Sequence, residues 1–158
     1  MAKVKSNFSE GLNEYLQTLN RLSGNAEGVA KQALYEGARM VADAVKQNMN
    51  ALPTDDRWGT QKNKKAGLRP EEKQAVINGF GISGMKENAG VIDVKIGFEN
   101  AGYTEDGVPV QLLARAANSG TSFMRKSSFF DRAVRSSRAA AKAAMIAKGE
   151  EELRKLVK

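Results

Sequence analysis

The clearest hydrophobic pattern in the chain predicts a long amphipathic helix over residues 26–50. Small and apolar residues recur on one side at helical spacing, while charged residues from Glu36 to Lys46 alternate in sign on the other. Pro53 follows shortly afterwards, and proline cannot continue a helix. The pattern therefore predicts one face that packs against other elements and one face in water.

A second long helix is predicted over residues 129–158. Apolar and small residues share one arc of its helical wheel, and arginines lie on the far side. Ser128 and Asp131 form an S-x-x-D pattern at its start, which indicates a capping box. The periodicity weakens near Gly149, so we expect residues 146–158 to form an extended or frayed segment, free to contact a neighbour.

Three shorter helices are predicted elsewhere in the chain. Leucines, a tyrosine and a phenylalanine at helical spacing predict an amphipathic N-terminal helix over residues 6–22. Pro70, with two glutamates behind it, begins a helix that ends near Gly79. A further helix covers residues 110–118 and ends at Gly120, because glycine tolerates the left-handed conformation of a helix C-cap.

Alternating apolar and polar residues between these helices predict a β-hairpin. A strand over residues 80–85, a turn over 86–90 and a strand over 91–98 fit the pattern. A two-stranded hairpin is marginal alone, so it must pack on helices or gain strands. Together the elements predict a single α+β domain over residues 1–158, with a small antiparallel sheet packed on long helices and a long C-terminal helix.

The segment 53–69 is long, polar and basic, which predicts a mobile loop. Its charge and its glycines argue against internal packing, and a loop of this length is usually functional or disordered. Trp58 lies in this loop and is the only tryptophan in the chain. Trp58 either anchors the loop to the core or contacts a partner, since tryptophan is enriched at binding hot spots.

The net charge of +7 is concentrated in two segments. Residues 57–69 hold five basic residues and no acid, and residues 125–142 hold six basic residues and one acid, so each contributes +5 and the rest sums to −3. Three interpretations stay open: a solvated surface, contact with DNA phosphates, and a charged protein interface. The candidate partner-binding residues are Arg57, Trp58, Lys62, Lys64, Lys65, Arg125, Lys126, Arg132, Arg135 and Arg138.

The absence of cysteine and histidine limits the chemistry that the chain can perform. The chain has no cysteine and no histidine, which removes thiolate nucleophiles, the commonest general base and the commonest metal ligand. Gly79, Gly81 and Gly84 spell G-x-G-x-x-G, but a dinucleotide fingerprint needs a strand before it and a helix after it, and here the order is reversed. We expect no enzyme activity and propose no catalytic, cofactor-binding or metal-binding residue.

Two further patterns concern membranes and secretion. The N-terminus lacks the apolar core of a signal peptide, and no stretch approaches the ~20 apolar residues of a membrane span. We therefore expect a soluble protein made in the cytoplasm, with no membrane partner.

Residues 111–134 carry a resemblance to a known family. The segments LLARAANSGTSF (112–123), FF..AV (129–134) and NGFGISGMKENAGVIDVKIGF (78–98) resemble the tail-completion, or head-tail joining, proteins of long-tailed bacteriophages. The likeness spans about half of the chain. The family usually has Pro-Phe-x-Arg-Pro-Ala at the start of the last helix, whereas this chain departs from that pattern at Ser128, Asp131 and Arg132.

The resemblance implies a structural virion protein without a cofactor. It implies a subunit that forms a homo-oligomeric ring, expected to be a hexamer, in the neck between the head connector and the tail. Its partners would be copies of itself and the adjacent connector and tail proteins, and passing contact with DNA stays an open question. The basic segments keep one alternative open, a DNA-binding or DNA-compacting protein.

Overall fold

A computed structural model describes residues 25–157 of the chain. In chain order the elements are α1 (Ala26–Asn50), α2 (Pro70–Gly79), β1 (Gly81–Ile82), β2 (Lys86–Asn88), β3 (Val91–Asp93), β4 (Ile96–Gly97), α3 (Val110–Ser119) and α4 (Phe129–Val157). The predicted α+β class and the long C-terminal helix are confirmed. The helix predicted over residues 6–22 lies outside the described residues.

Residue contacts divide the described chain into two compact units. The first unit contains residues 25–41, 82–96 and 137–157, and the second unit contains residues 42–81 and 97–136. Helices α1 and α4 each contribute residues to both units. The single domain expected over residues 1–158 stays a prediction. No helix within residues 25–157 is both long enough and apolar enough to cross a membrane.

In the first unit, the small sheet packs on the two long helices, as predicted. Ile92 on β3 is fully buried and belongs to one cluster with Val29 and Leu34 of α1 and Met145 of α4. Gly37 lies where α1 and α4 approach each other closely, since a Cβ built there would be 2.5 Å from Met145 Cγ. The small residues of α1 therefore allow close helix packing.

The hairpin is present, but the predicted turn is too long. β2 pairs antiparallel with β3, with Lys86 opposite Asp93, so the turn contains only Ala89 and Gly90. Both turn residues have positive φ, 51° and 77°, as a two-residue type I′ turn requires. The prediction assigned all of 86–90 to the turn because its residues are weak strand formers, and pairing with β3 overrides that preference. β1 pairs with β4.

Helix α4 buries one face at four-residue intervals. The buried residues are Phe129, Ala133, Ser137, Ala141, Met145 and Gly149. The arginines predicted on the far side are exposed. The helix continues through Gly149, where the sequence pattern weakens. In this last part of the helix, Lys148 pairs with Glu152 and Lys155 pairs with Glu151, both at i,i+4 spacing that supports a helix. Contact of residues 146–158 with a neighbour stays a prediction.

The capping box predicted at the start of α4 is wrong, because a different residue satisfies the first backbone donors. The Asn118 side-chain oxygen accepts hydrogen bonds from the backbone N–H of Phe130 (3.0 Å) and Asp131 (3.4 Å). Asn118 Nδ2 in turn donates to Asp131 Oδ2 at 3.0 Å. Ser128 has a positive φ of 54° and contributes its carbonyl, which accepts from Arg132 N. A residue of α3 therefore caps α4.

The aromatic pair at the start of α4 packs within the second unit. Phe129 is 1% exposed, and its ring meets the half-buried Phe130 edge to face at 6.4 Å between centroids. The Phe129 carbonyl accepts a hydrogen bond from Asn48 Nδ2 at 2.9 Å. These contacts fix where α4 begins.

We predict that Phe129→Ala lowers the free energy of unfolding by about 3 to 5 kcal/mol, since it removes a buried aromatic ring and leaves a cavity. Phe123→Ala is the matched control, because Phe123 is 56% exposed and its loss should change stability by less than about 0.5 kcal/mol. Urea denaturation followed by circular dichroism measures both. Equal losses in the two variants would contradict this core assignment.

Candidate partner-binding site

Two basic loops that are distant in sequence, the first over residues 53–69 and the second over residues 120–128, are hydrogen-bonded to each other in the second unit. The Lys65 backbone N–H donates to the Phe123 carbonyl at 2.8 Å, and the Arg125 N–H donates to the Lys65 carbonyl at 3.0 Å. Lys65 and Met124 thereby form an isolated parallel bridge. The charged segments that the sequence shows separately therefore meet through their backbones.

Glycines permit these backbones to approach each other closely. A Cβ built at Gly59 would lie 1.9 Å from the Phe123 carbonyl oxygen, and one at Gly67 would lie 2.0 Å from the Pro53 carbonyl oxygen. Neither distance is compatible with a side chain. The sequence argument against internal packing of residues 53–69 is therefore wrong, since the glycines allow the packing. The mobility of this loop stays a prediction.

The Asp55 carboxylate holds the first loop in shape. Its side chain is 7% exposed and accepts hydrogen bonds from the backbone N–H of Ala66 (2.8 Å) and Arg57 (3.0 Å) and from Arg57 Nη2 (2.9 Å). The Asp55 N–H donates to the Leu68 carbonyl at 2.8 Å. The guanidinium of Arg57, followed by the N–H groups of Ala66 and Arg57, holds the pKa of Asp55 far below its usual range.

A groove of about 310 Å³ lies between the paired loops and the helices of the second unit. Its buried apolar lining comes from Leu68, Leu113 and Met124. Two aromatic side chains also line it, Trp58 at 97% exposure and Phe123 at 56%. This exposure excludes the interpretation that Trp58 anchors its loop to the core. Contact of Trp58 with a partner stays a prediction.

The candidate cations differ in whether they are neutralised. Arg57 pairs with Asp55, and Glu72, the carboxylate that lines the groove, pairs with Arg69 at 3.2 Å. The other candidate cations have no carboxylate within salt-bridge distance among residues 25–157. These are Lys62, Lys64, Lys65, Arg125, Lys126, Arg132, Arg135 and Arg138. The site therefore keeps an uncompensated positive charge.

The structure brings together only part of the predicted set. The two paired loops carry Arg57, Trp58, Lys62, Lys64, Lys65, Arg125 and Lys126. Arg132 and Arg135 lie on the second-unit part of α4, whereas Arg138 lies on its first-unit part. Sequence reasoning did not propose Phe123, Leu113 or Met124 as site residues. Phe123 and Met124 come directly before two basic residues, which is the one signal that marks them, and Leu113 carries no such signal.

The groove offers apolar surface beside positive charge, which suits binding of an apolar side chain near an anionic group.

Within residues 25–157, no three acidic side chains converge to hold a metal ion. Comparison of the chain with protein-family models, with characterised proteins and with solved structures finds no match. The resemblance to tail-completion proteins therefore stays a prediction.

We predict that Gly59→Ala separates the paired loops, since its Cβ cannot fit against the Phe123 carbonyl. Amide hydrogen exchange at Lys65 and Arg125 should accelerate at least about tenfold, because both amides take part in the pairing. Gly81→Ala is the control, since a Cβ there meets nothing within 4 Å. Unchanged exchange in Gly59→Ala would show that the loops do not pair in solution.

We also predict that the stabilising effect of Asp55 depends on pH. Its folded pKa is depressed, so the effect is fully present above the unfolded pKa of ~4 and is lost as the pH falls through the folded value. The denaturation midpoint of wild type should exceed that of Asp55→Asn at pH 7, and the gap should narrow toward pH 2. Other carboxylates are common to both proteins, so a gap independent of pH would refute the prediction.

Proposed function

We propose that this chain is a structural virion protein, a tail-completion or head-tail connector subunit that forms a ring in the neck of a bacteriophage. The subunit is made in the host cytoplasm and functions by assembly. The observation that carries the proposal is the nearly complete exposure of Trp58 beside an apolar groove, on a loop held by hydrogen bonds.

An exposed tryptophan on a loop held by hydrogen bonds favours a protein interface. Exposed apolar surface with a polar rim often marks an interaction site, and tryptophan is enriched among the residues that dominate binding energy. The hydrogen bonds of Asp55 restrain the loop on both sides of Trp58, and such restraint lowers the entropy cost of association. A surface of this kind supports an assembly function better than a solvated basic face.

Further exposed apolar side chains support assembly through more than one surface. Tyr35 and Leu156 belong to the first unit, and Tyr103 and Leu112 belong to the second. A ring needs two different complementary surfaces on each subunit, because its contacts are head to tail. Contacts between copies and contacts with the adjacent connector and tail proteins would use different members of this set.

DNA binding is the second candidate function, and one observation favours it. The uncompensated lysines and arginines of the paired loops stand beside two exposed aromatic rings, Trp58 and Phe123. Phosphates bind such cations, and single-stranded bases stack on such rings. Basic residues alone would also fit passing contact with DNA in a neck ring.

We predict that the purified chain forms rings, with a hexamer as the expected species. Native mass spectrometry gives the copy number, and negative-stain electron microscopy shows whether the assemblies are closed. Connector and tail components should be included, because the proposal has the subunit dock on adjacent rings, and docking can favour assembly. A strict monomer under all these conditions would refute the neck proposal.

Retention on random duplex DNA separates the two candidate functions. The structural proposal predicts weak retention at physiological salt, in the range of nonspecific binding, with Kd of ~10⁻⁴ to 10⁻⁶ M. Tighter binding with a steep salt dependence would favour the DNA-binding alternative. Reversal of charge at Lys62 and Lys64 should reduce any such retention, and Lys46→Glu is the control on an exposed position of α1.

A further inference from the structure

We infer that the groove between the paired loops binds a segment of a different protein, in which an apolar or aromatic side chain is flanked by aspartates or glutamates. This inference deepens the proposed function, on which it rests, by specifying the chemistry of one partner. It concerns residues of the second unit only.

The lining of the groove selects the central side chain of that segment. Leu68, Leu113 and Met124 are buried and apolar, and Phe123 and Trp58 add aromatic surface that stays in water when the groove is empty. A volume of about 310 Å³ suits one large side chain or two small ones. Burial of such a side chain would remove apolar surface of both molecules from water.

The charge around the groove selects the flanking residues. Lys65 lines the groove without an ion pair among the described residues, and Arg125 is hydrogen-bonded to it through the backbone. Lys62 and Lys64 lie in the same loop and are exposed. Glu72 also lines the groove, but Arg69 already neutralises it. Carboxylates on either side of the apolar side chain would therefore meet uncompensated cations.

A protein segment fits this site better than a nucleic acid does. Base stacking uses successive open aromatic faces along a groove that follows the backbone. Here the buried part of the lining comes from Leu68, Leu113 and Met124, which offer no N–H or O–H donor to the edge of a base, and the polar lining residues such as Lys65 lie around it. A side chain that enters an apolar depression with charges at its rim matches all of these features.

The sole tryptophan provides the measurement. Trp58 is solvated in the free protein, so its fluorescence should shift to shorter wavelength when a ligand covers the indole. The probe is a synthetic peptide with a central Leu-Phe pair flanked on both sides by Asp and Glu. We expect a saturable blue shift with the full-length chain, and a smaller affinity as the salt concentration rises.

Two variants keep the reporter and test the two parts of the site. Phe123→Ala should weaken peptide binding by at least about tenfold, as expected for an aromatic hot spot. Leu112→Ala is its matched control, because Leu112 has the same 56% exposure but does not line the groove. Lys65→Glu should weaken binding by about tenfold or more. Lys46→Glu is its control and should leave binding unchanged, because it makes the same change in charge on the second unit away from the groove.

Four outcomes would overturn the inference. The first is the absence of a saturable shift, and the second is equal binding of an acidic peptide in which Gly and Ser replace the Leu-Phe pair. The third is tighter binding of a single-stranded oligonucleotide than of the peptide. The fourth is a blue shift that depends on protein concentration without any peptide, which would mean that a second copy fills the groove. Ring formation without peptide binding would refute this inference and leave the neck proposal standing.

Discussion

The geometry of the candidate site depends on one carboxylate. Asp55 accepts backbone hydrogen bonds from both ends of the first loop, at Arg57 and at Ala66, and so closes the loop between them. Leu68 is buried near one end of the loop, but most of the other side chains are polar and exposed, so hydrophobic burial alone does not hold it in place. A carboxylate can, because charge-assisted hydrogen bonds are stronger than neutral ones. The pKa of Asp55 is depressed because the Arg57 guanidinium and these backbone N–H groups stabilise the charged carboxylate.

The second loop is also held by hydrogen bonds between side chains and the backbone, near the end of α3 and the start of α4. Gly120 ends α3 with a φ of 76°, and a Cβ there would lie 3.0 Å from Lys126 N, so the chain turns back tightly. Asn118 then caps α4, and Ser127 Oγ donates to the Ala117 carbonyl at 2.6 Å. Polar side chains bonded to the backbone thus position both loops, while the helices of the second unit supply the apolar lining between them.

The helices could be predicted from the sequence because their signals are local. The pattern over residues 26–50 and the glycine at 120 depend on neighbours a few residues away, and both predictions are confirmed. The hairpin turn was placed too broadly, since strand pairing outweighed the weak propensities of Lys86 to Asn88. The cap of α4 was missed because Asn118 reaches it from another helix.

The candidate site was predictable in its charges and not in its geometry. Charge counting finds both basic loops, and it also includes Arg138, which belongs to the other compact unit. The contact between Lys65 and Phe123 joins residues far apart in sequence, and no periodicity or composition encodes it. Phe123 has the same sequence character as a core aromatic, so its exposure becomes known only from the fold.

The pairing of the two loops uses backbone atoms alone at Lys65, Phe123 and Arg125. Their side chains are therefore not needed to hold the scaffold, and substitutions there can change the chemistry of the groove without altering its backbone. Gly59 and Gly67 are tightly constrained instead, since a Cβ at either position would collide with a backbone carbonyl oxygen. Such a division separates the residues that hold the loop framework from the residues that line the groove, and it makes Lys65 and Phe123 suitable positions for engineering the groove surface.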